Sequence, residues 1–182
     1  EDGVHTLRYI NFQDGNRAEL DGLFVALDRP SSSNFALKLG LLTVEDGLIA
    51  TDADMATNLP GIFAAGNVVH VHDLVDFVTG ESQRAGAAAA RFARQGPAPE
   101  GRVLEVENGA SVTYTVPGKI RLANVDKAVE IFFRVNRVCG NSVIRVTAGS
   151  EQLAAYKREH LAPGEMERIS VPRALLEKAD GC

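Results

Sequence analysis

The stretch Thr57-Asn-Leu-Pro-Gly-Ile-Phe-Ala-Ala-Gly-Asn-Val68 is the most informative part of this chain. Leu59-Pro60-Gly61 is a turn signal, because proline presets its own φ and glycine accepts the positive φ that can follow. The turn feeds the short apolar run Ile62-Phe-Ala-Ala65, which stops at Gly66. A glycine at a strand end lets another backbone or a ligand come close. Asn67 follows with a polar amide. In open α/β sheets, ligands lie beyond the carboxyl ends of the strands, so Gly66-Asn67 sits where such a fold would receive one.

Downstream, residues 81–94 are rich in alanine and predict a helix. Its N-terminus would carry partial positive charge and free N–H groups. Gln95-Gly-Pro-Ala-Pro-Glu-Gly101 then places two prolines and two glycines within seven residues, a domain boundary. Beyond it, strands are expected at 103–106, 111–116, 129–138, 142–147 and 166–171. Residues 152–159 read as a strand or a helical turn, and 174–178 as a helical turn. Short strands at this spacing predict a small antiparallel β-sandwich.

Upstream, residues 4–12 read as a strand ahead of Asp14-Gly15, a hairpin signal, with a return strand at 16–20. Leu23-Phe-Val-Ala-Leu27 is a continuous apolar run, as in a strand buried on both faces. Asn34 is a candidate cap for a helix through Leu39, with Gly40 as its stop.

Composition narrows the partners. The chain has 182 residues, 45% hydrophobic and 24% charged, with a net charge of −5. That balance fits a globular protein and argues against nucleic-acid binding or an anionic membrane surface. No apolar run approaches the roughly 20 residues of a membrane helix. Cys139 and Cys182 lie 43 positions apart, neither a disulfide framework nor a Cys-x-x-Cys pair, so a cytoplasmic location is expected. The opening Glu1-Asp-Gly-Val4 lacks an initiator methionine, and a piece of a longer polypeptide is expected.

The 57–68 block resembles the second FAD-binding motif of the two-dinucleotide-binding flavoproteins, which include the thioredoxin reductases and pyridine nucleotide-disulfide oxidoreductases. The resemblance covers residues 1 to about 94. It implies three parts, an α/β segment made of Rossmann-like domain ends followed by the β-sandwich. Residues 1–30 would be the tail of an NAD(P)H-binding domain and 31–96 the closing segment of an FAD-binding domain. Residues 97–101 would be a linker and 102–182 the C-terminal β-domain. Asn67 takes the family's acidic position, whose oxygen accepts a hydrogen bond from a ribityl hydroxyl of FAD. The amide keeps the acceptor but loses the charge. The backbone at Gly66 and Val68 would approach the pyrophosphate and ribityl chain. Thr79-Gly80-Glu81, before Gly86, corresponds approximately to positions that touch the isoalloxazine ring, with Asp73–Asp76 of the longer intervening loop as the alternative. Asp28 departs from the family, which usually has glycine there, before its proline-containing turn.

The implied cofactor is FAD, held by the full-length parent, with NAD(P)H as co-substrate. No Gly-x-Gly occurs in this chain, so both nucleotide fingerprints and any Cys-x-x-Cys would lie upstream. The chain alone is expected to be inactive, with no catalytic side chain of its own. The partners expected are the upstream remainder of the polypeptide and either a second copy or a partner dehydrogenase subunit. The contrasting expectation is a non-catalytic fragment whose β-domain is a protein-association module. His70-Val-His72-Asp73 has chelating side chains at alternate positions, but the sequence shows no third ligand, so no metal site is expected.

Overall fold

The computed structural model describes residues 9–11, 14–19, 33–44, 47–98 and 100–179. The chain is a mixed α/β protein with several antiparallel sheets. It divides into two compact units, Glu1–Ser31 and Ser32–Cys182.

In the first unit, β1 (Tyr9–Asn11) and β2 (Arg17–Glu19) form the antiparallel hairpin expected around Asp14-Gly15. Gly15 takes φ 86°, and the Asp14 carboxylate accepts the Asn16 N–H at 3.0 Å. The turn chemistry thus acts through a left-handed glycine and a local side-chain cap. The expected strand at Leu23–Leu27, and Asp28, lie outside the described residues.

The second unit begins with α1 (Ser33–Lys38), which stops at Gly40 with φ 81°. Asn58 reaches back to this end, donating to the Gly40 carbonyl and accepting the Leu42 N–H at 2.8 Å. The long helix is α2 (Val75–Gln95), ended by Gly96, whose N–H bonds the Phe92 carbonyl at 2.8 Å. It starts six residues before the expected 81. Val75, Val78 and Thr79 are β-branched and Gly80 is a poor helix former, so local propensity argued against these turns. Half-burial of Phe77 and burial of Glu81 on one face, at i and i+4, override it.

The strands that follow are β3 (Val103–Glu105), β4 (Val112–Val116), β5 (Lys119–Arg121), β6 (Ala128–Val135), β7 (Ser142–Ala148), β8 (Glu151–Arg158) and β9 (Glu167–Pro172), then α3 (Arg173–Leu176). Residues 152–159 are therefore strand rather than helical turn. The three-residue β5, between Gly118 and Leu122, was not expected; it pairs with β3. The sheet that organises the unit has the order β4-β6-β9, and β7-β8 is a hairpin.

The central strand β6 is covered on both faces, and its period-two alternation sorts the residues. Val129, Ile131, Phe133 and Val135 point into a core with Ile120, Leu122, Val125, Leu161, Ile169, Val171 and Leu176. The opposite face carries Phe132 and Arg134, with Tyr114 and Val116 beside them on β4. That second face meets residues 64–77. Ala64, Val69 and Val116 form a second small core, and the Phe77 and Phe132 rings lie 6.1 Å apart. Further along, the Thr51 carbonyl accepts the Gly118 N–H, the Lys119 carbonyl accepts the Ala53 N–H, and Asp52 bridges to Lys119.

Candidate functional site

Thr57–Val68 folds as its residue types require. The Thr57 hydroxyl donates to the Ile62 carbonyl at 2.9 Å and accepts the Leu59 N–H at 3.2 Å, closing the turn around Pro60 and Gly61. Gly61 has φ 82°. Phe63 bridges Ala56, and Gly66, with φ 76°, opens a 3-10 turn over Gly66–Val68. A Cβ at Gly66 would meet a Val78 methyl at 3.4 Å and face the left-handed backbone besides. Gly66→Ala is expected to cost about 1–2 kcal/mol, the strain of that conformation for a residue with a Cβ. A chemical-denaturation midpoint measures it, and an unchanged midpoint would mean the turn relaxes freely.

After the 3-10 turn the chain does something local reading does not suggest. His70 and His72 both turn inward, onto the carboxylate of Glu81 from α2. His70 Nε2 lies 3.0 Å from Oε1 and His72 Nε2 lies 3.0 Å from Oε2. The Gly66 N–H donates to Oε2 at 2.5 Å. All three side chains are buried, 0% exposed for His70 and 1% for His72 and Glu81. The imidazole centroids are 4.0 Å apart, and Phe132 closes the floor at 5.6 Å from His70 and 6.4 Å from His72.

An ionised carboxylate only accepts, so each imidazole facing it carries its hydrogen on Nε2. Burial pushes the Glu81 carboxyl up, but the bonds from His70, the Gly66 N–H and His72 outweigh it and hold Glu81 below the usual glutamate value. The Nδ1 atoms of both rings are buried with no hydrogen-bond partner. Among the described residues, His70, His72 and Glu81 are the group of potential ligands close enough to share one ion, their donor atoms lying within 4.8 Å of one another.

The loop that carries the histidines is fastened to the β-sheet. Asp73 accepts from Arg134 and from the Met166 N–H at 2.6 Å, while Arg134 also donates to the Val71 carbonyl at 3.1 Å and the Tyr114 hydroxyl at 3.0 Å. Burial acts to raise the Asp73 carboxyl, and the Met166 N–H and Arg134 more than compensate, leaving it lowered.

The residues read from sequence thus separate. Asn67 is exposed, and its Oδ1 takes one long bond, 3.4 Å from the His72 N–H. Val68 is half-buried, its carbonyl accepting the Ile49 N–H at 2.8 Å. Thr79 and Gly80 are exposed within the second turn of α2, whereas Glu81 is buried against the histidines. Gly66 and Glu81 are engaged with each other. The pairing of Glu81 with His70 and His72 was not visible in the sequence. Its spacings of 11 and 9 residues run from a loop to a helix, and no local period reports them.

The family model for pyridine nucleotide-disulphide oxidoreductases matches residues 1–83. A thioredoxin reductase of Listeria innocua is 35% identical over 96 residues, covering 50% of this chain and 30% of the relative. A thioredoxin reductase of Listeria monocytogenes is 35% identical over 92 residues, covering 48% of this chain and 28% of the relative. The match therefore spans under a third of either relative's length. No solved structure matches the chain. Among the described residues, no helix is long and apolar enough to cross a membrane. Over residues 1–83 the chain is thus similar to the pyridine nucleotide-disulphide oxidoreductases, a family of enzymes, and the turn and glycine-ended strand of Thr57–Val68 lie within that match.

Proposed function

We propose that this chain is the C-terminal part of an FAD-dependent NAD(P)H oxidoreductase and supplies one wall of its flavin site. The observation that carries this reading is the state of the surface beside Asn67. The first turn of α2 has no side-chain cap at Leu74; the Phe77 N–H bonds the Leu74 carbonyl at 3.2 Å, and the N–H groups of Val75 and Asp76 would meet an acceptor at this end. Leu74 is 56% exposed and Val75 80%, an apolar ledge next to those donors. A flat, largely apolar ring with an electron-rich carbonyl edge matches that surface. Asn67, exposed and weakly engaged, has an acceptor to offer a ribityl hydroxyl. Bound there, FAD would supply the redox chemistry, taking hydride from NAD(P)H and passing it to a further acceptor.

The chain's own contribution is orientation and charge. Asn67 and the Val68 backbone would hold the ribityl side, and the start of α2 the ring. The Asp73–Arg134 pair keeps the intervening loop in place by tying it to the β-sheet. The Rossmann-like framework that completes such a site belongs to the upstream part of the parent, and the strands after residue 102 buttress this wall from behind.

The test is the full reading frame, purified and compared with the 182-residue chain. The full protein is expected to be yellow and to bleach with NADH or NADPH in the absence of oxygen. The isolated chain is expected not to retain FAD. In the full protein, Asn67→Ala should weaken FAD retention by roughly 5–10-fold, the worth of one neutral hydrogen bond of about 1 kcal/mol. A colourless full-length protein that takes up no added FAD would overturn the assignment.

A further inference from the structure

We infer that His70, His72 and Glu81 form a binding site for one divalent first-row transition metal ion, with Zn²⁺ as the first choice. The inference stands on the geometry of these three side chains and does not depend on the flavin assignment.

The donor set is two imidazole nitrogens and one carboxylate, a combination used for Zn²⁺ and for Fe(II). The donor atoms converge from two elements and lie within 4.8 Å of one another. An ion about 2.1 Å from each donor in a tetrahedral site would hold them roughly 3.4 Å apart, and His70 Nε2 and His72 Nε2 each lie 3.0 Å from a different oxygen of the one carboxylate. The side chains are already dehydrated, at 0%, 1% and 1% exposure. The carboxylate already faces both rings. On binding, each imidazole hydrogen would move from Nε2 to Nδ1, freeing both Nε2 lone pairs for the ion with no net release of protons.

One feature limits the affinity. A ligating histidine usually donates its second ring N–H to a neighbour, and loss of such a partner costs about 10–100-fold in affinity. Neither Nδ1 has a protein partner here. The site is therefore expected to hold Zn²⁺ in the micromolar range, as a clamp between the loop and α2.

The experiment uses the 182-residue chain, stripped with a chelator and titrated with CoCl₂ and then ZnCl₂. The expected result is one Co²⁺ per chain, with visible d–d bands of tetrahedral strength that Zn²⁺ displaces. Glu81→Gln and His72→Gln should each weaken binding at least about 100-fold, more than loss of an outer-shell contact. His160→Gln, remote in sequence, should leave it unchanged. Circular dichroism establishes that each variant is folded. Should the first two variants fail to fold, the wild-type Co²⁺ spectrum decides. Absence of d–d bands in the wild type, or binding unaltered in folded Glu81→Gln, would overturn the site and leave a hydrogen-bonded His–Glu–His cluster.

Discussion

Replacing Glu81 with alanine is expected to lower the stability of the folded chain by about 3–5 kcal/mol, the range for removing one member of a buried pair. The substitution costs more than one interaction. It leaves His70 Nε2, His72 Nε2 and the Gly66 N–H without the acceptor they share. A buried donor left unsatisfied costs about 1–3 kcal/mol. The small side chain also opens a void beneath two imidazoles that are 4.0 Å apart. Denaturant unfolding in chelator-treated buffer reads the change as a shift in midpoint. A loss below about 1 kcal/mol, the value of an exposed pair, would mean that water replaces the carboxylate and that the cluster contributes little to the fold.

The second large effect is expected at Phe132. It is 4% exposed and its ring meets His70, His72 and Phe77. Truncation to alanine should cost about 3–5 kcal/mol, the range for a buried phenylalanine. Phe133, its neighbour on β6, is 3% exposed and faces the other core, so Phe133→Ala should cost a similar amount. The pair tests whether the two faces of β6 belong to one cooperative structure. If they do, the helical signal of α2 and the strand signal fall together in both variants. Separate transitions in Phe132→Ala would show that residues 64–95 unfold independently of the β-sheet.

Much of this architecture was legible in local chemistry. Asp14-Gly15 predicted the hairpin, Pro60-Gly61 the turn and Gly40 the end of α1, because each depends on a backbone conformation that few residue types accept. The strands from Val112 to Pro172 were visible through β-branched and aromatic runs between turn residues. The start of α2 was not, because its first turns contain β-branched residues and a glycine, and only packing of Phe77 and Glu81 makes them helical. Nor was β5, a three-residue strand whose partner lies in β3. The histidine pair was noticed, but its third member came from a helix position that the sequence resemblance had assigned to the flavin edge.

By itself, then, the sequence determined the turns and the likeness to a known family. Those rest on Thr57–Val68, where a hydroxyl, a proline and two glycines act within a few residues of one another. The tertiary structure decided which side chains face each other across distance. One face of β6 is apolar, and the other is closed by Phe132 and by the tie of Arg134 to Asp73, so the sheet covers residues 64–77 and Ser32–Cys182 becomes one compact unit. That burial brings His70, His72 and Glu81 together out of water, where a carboxylate must be satisfied by whatever donors are near. Periodicity records which way a side chain points, but not what it meets.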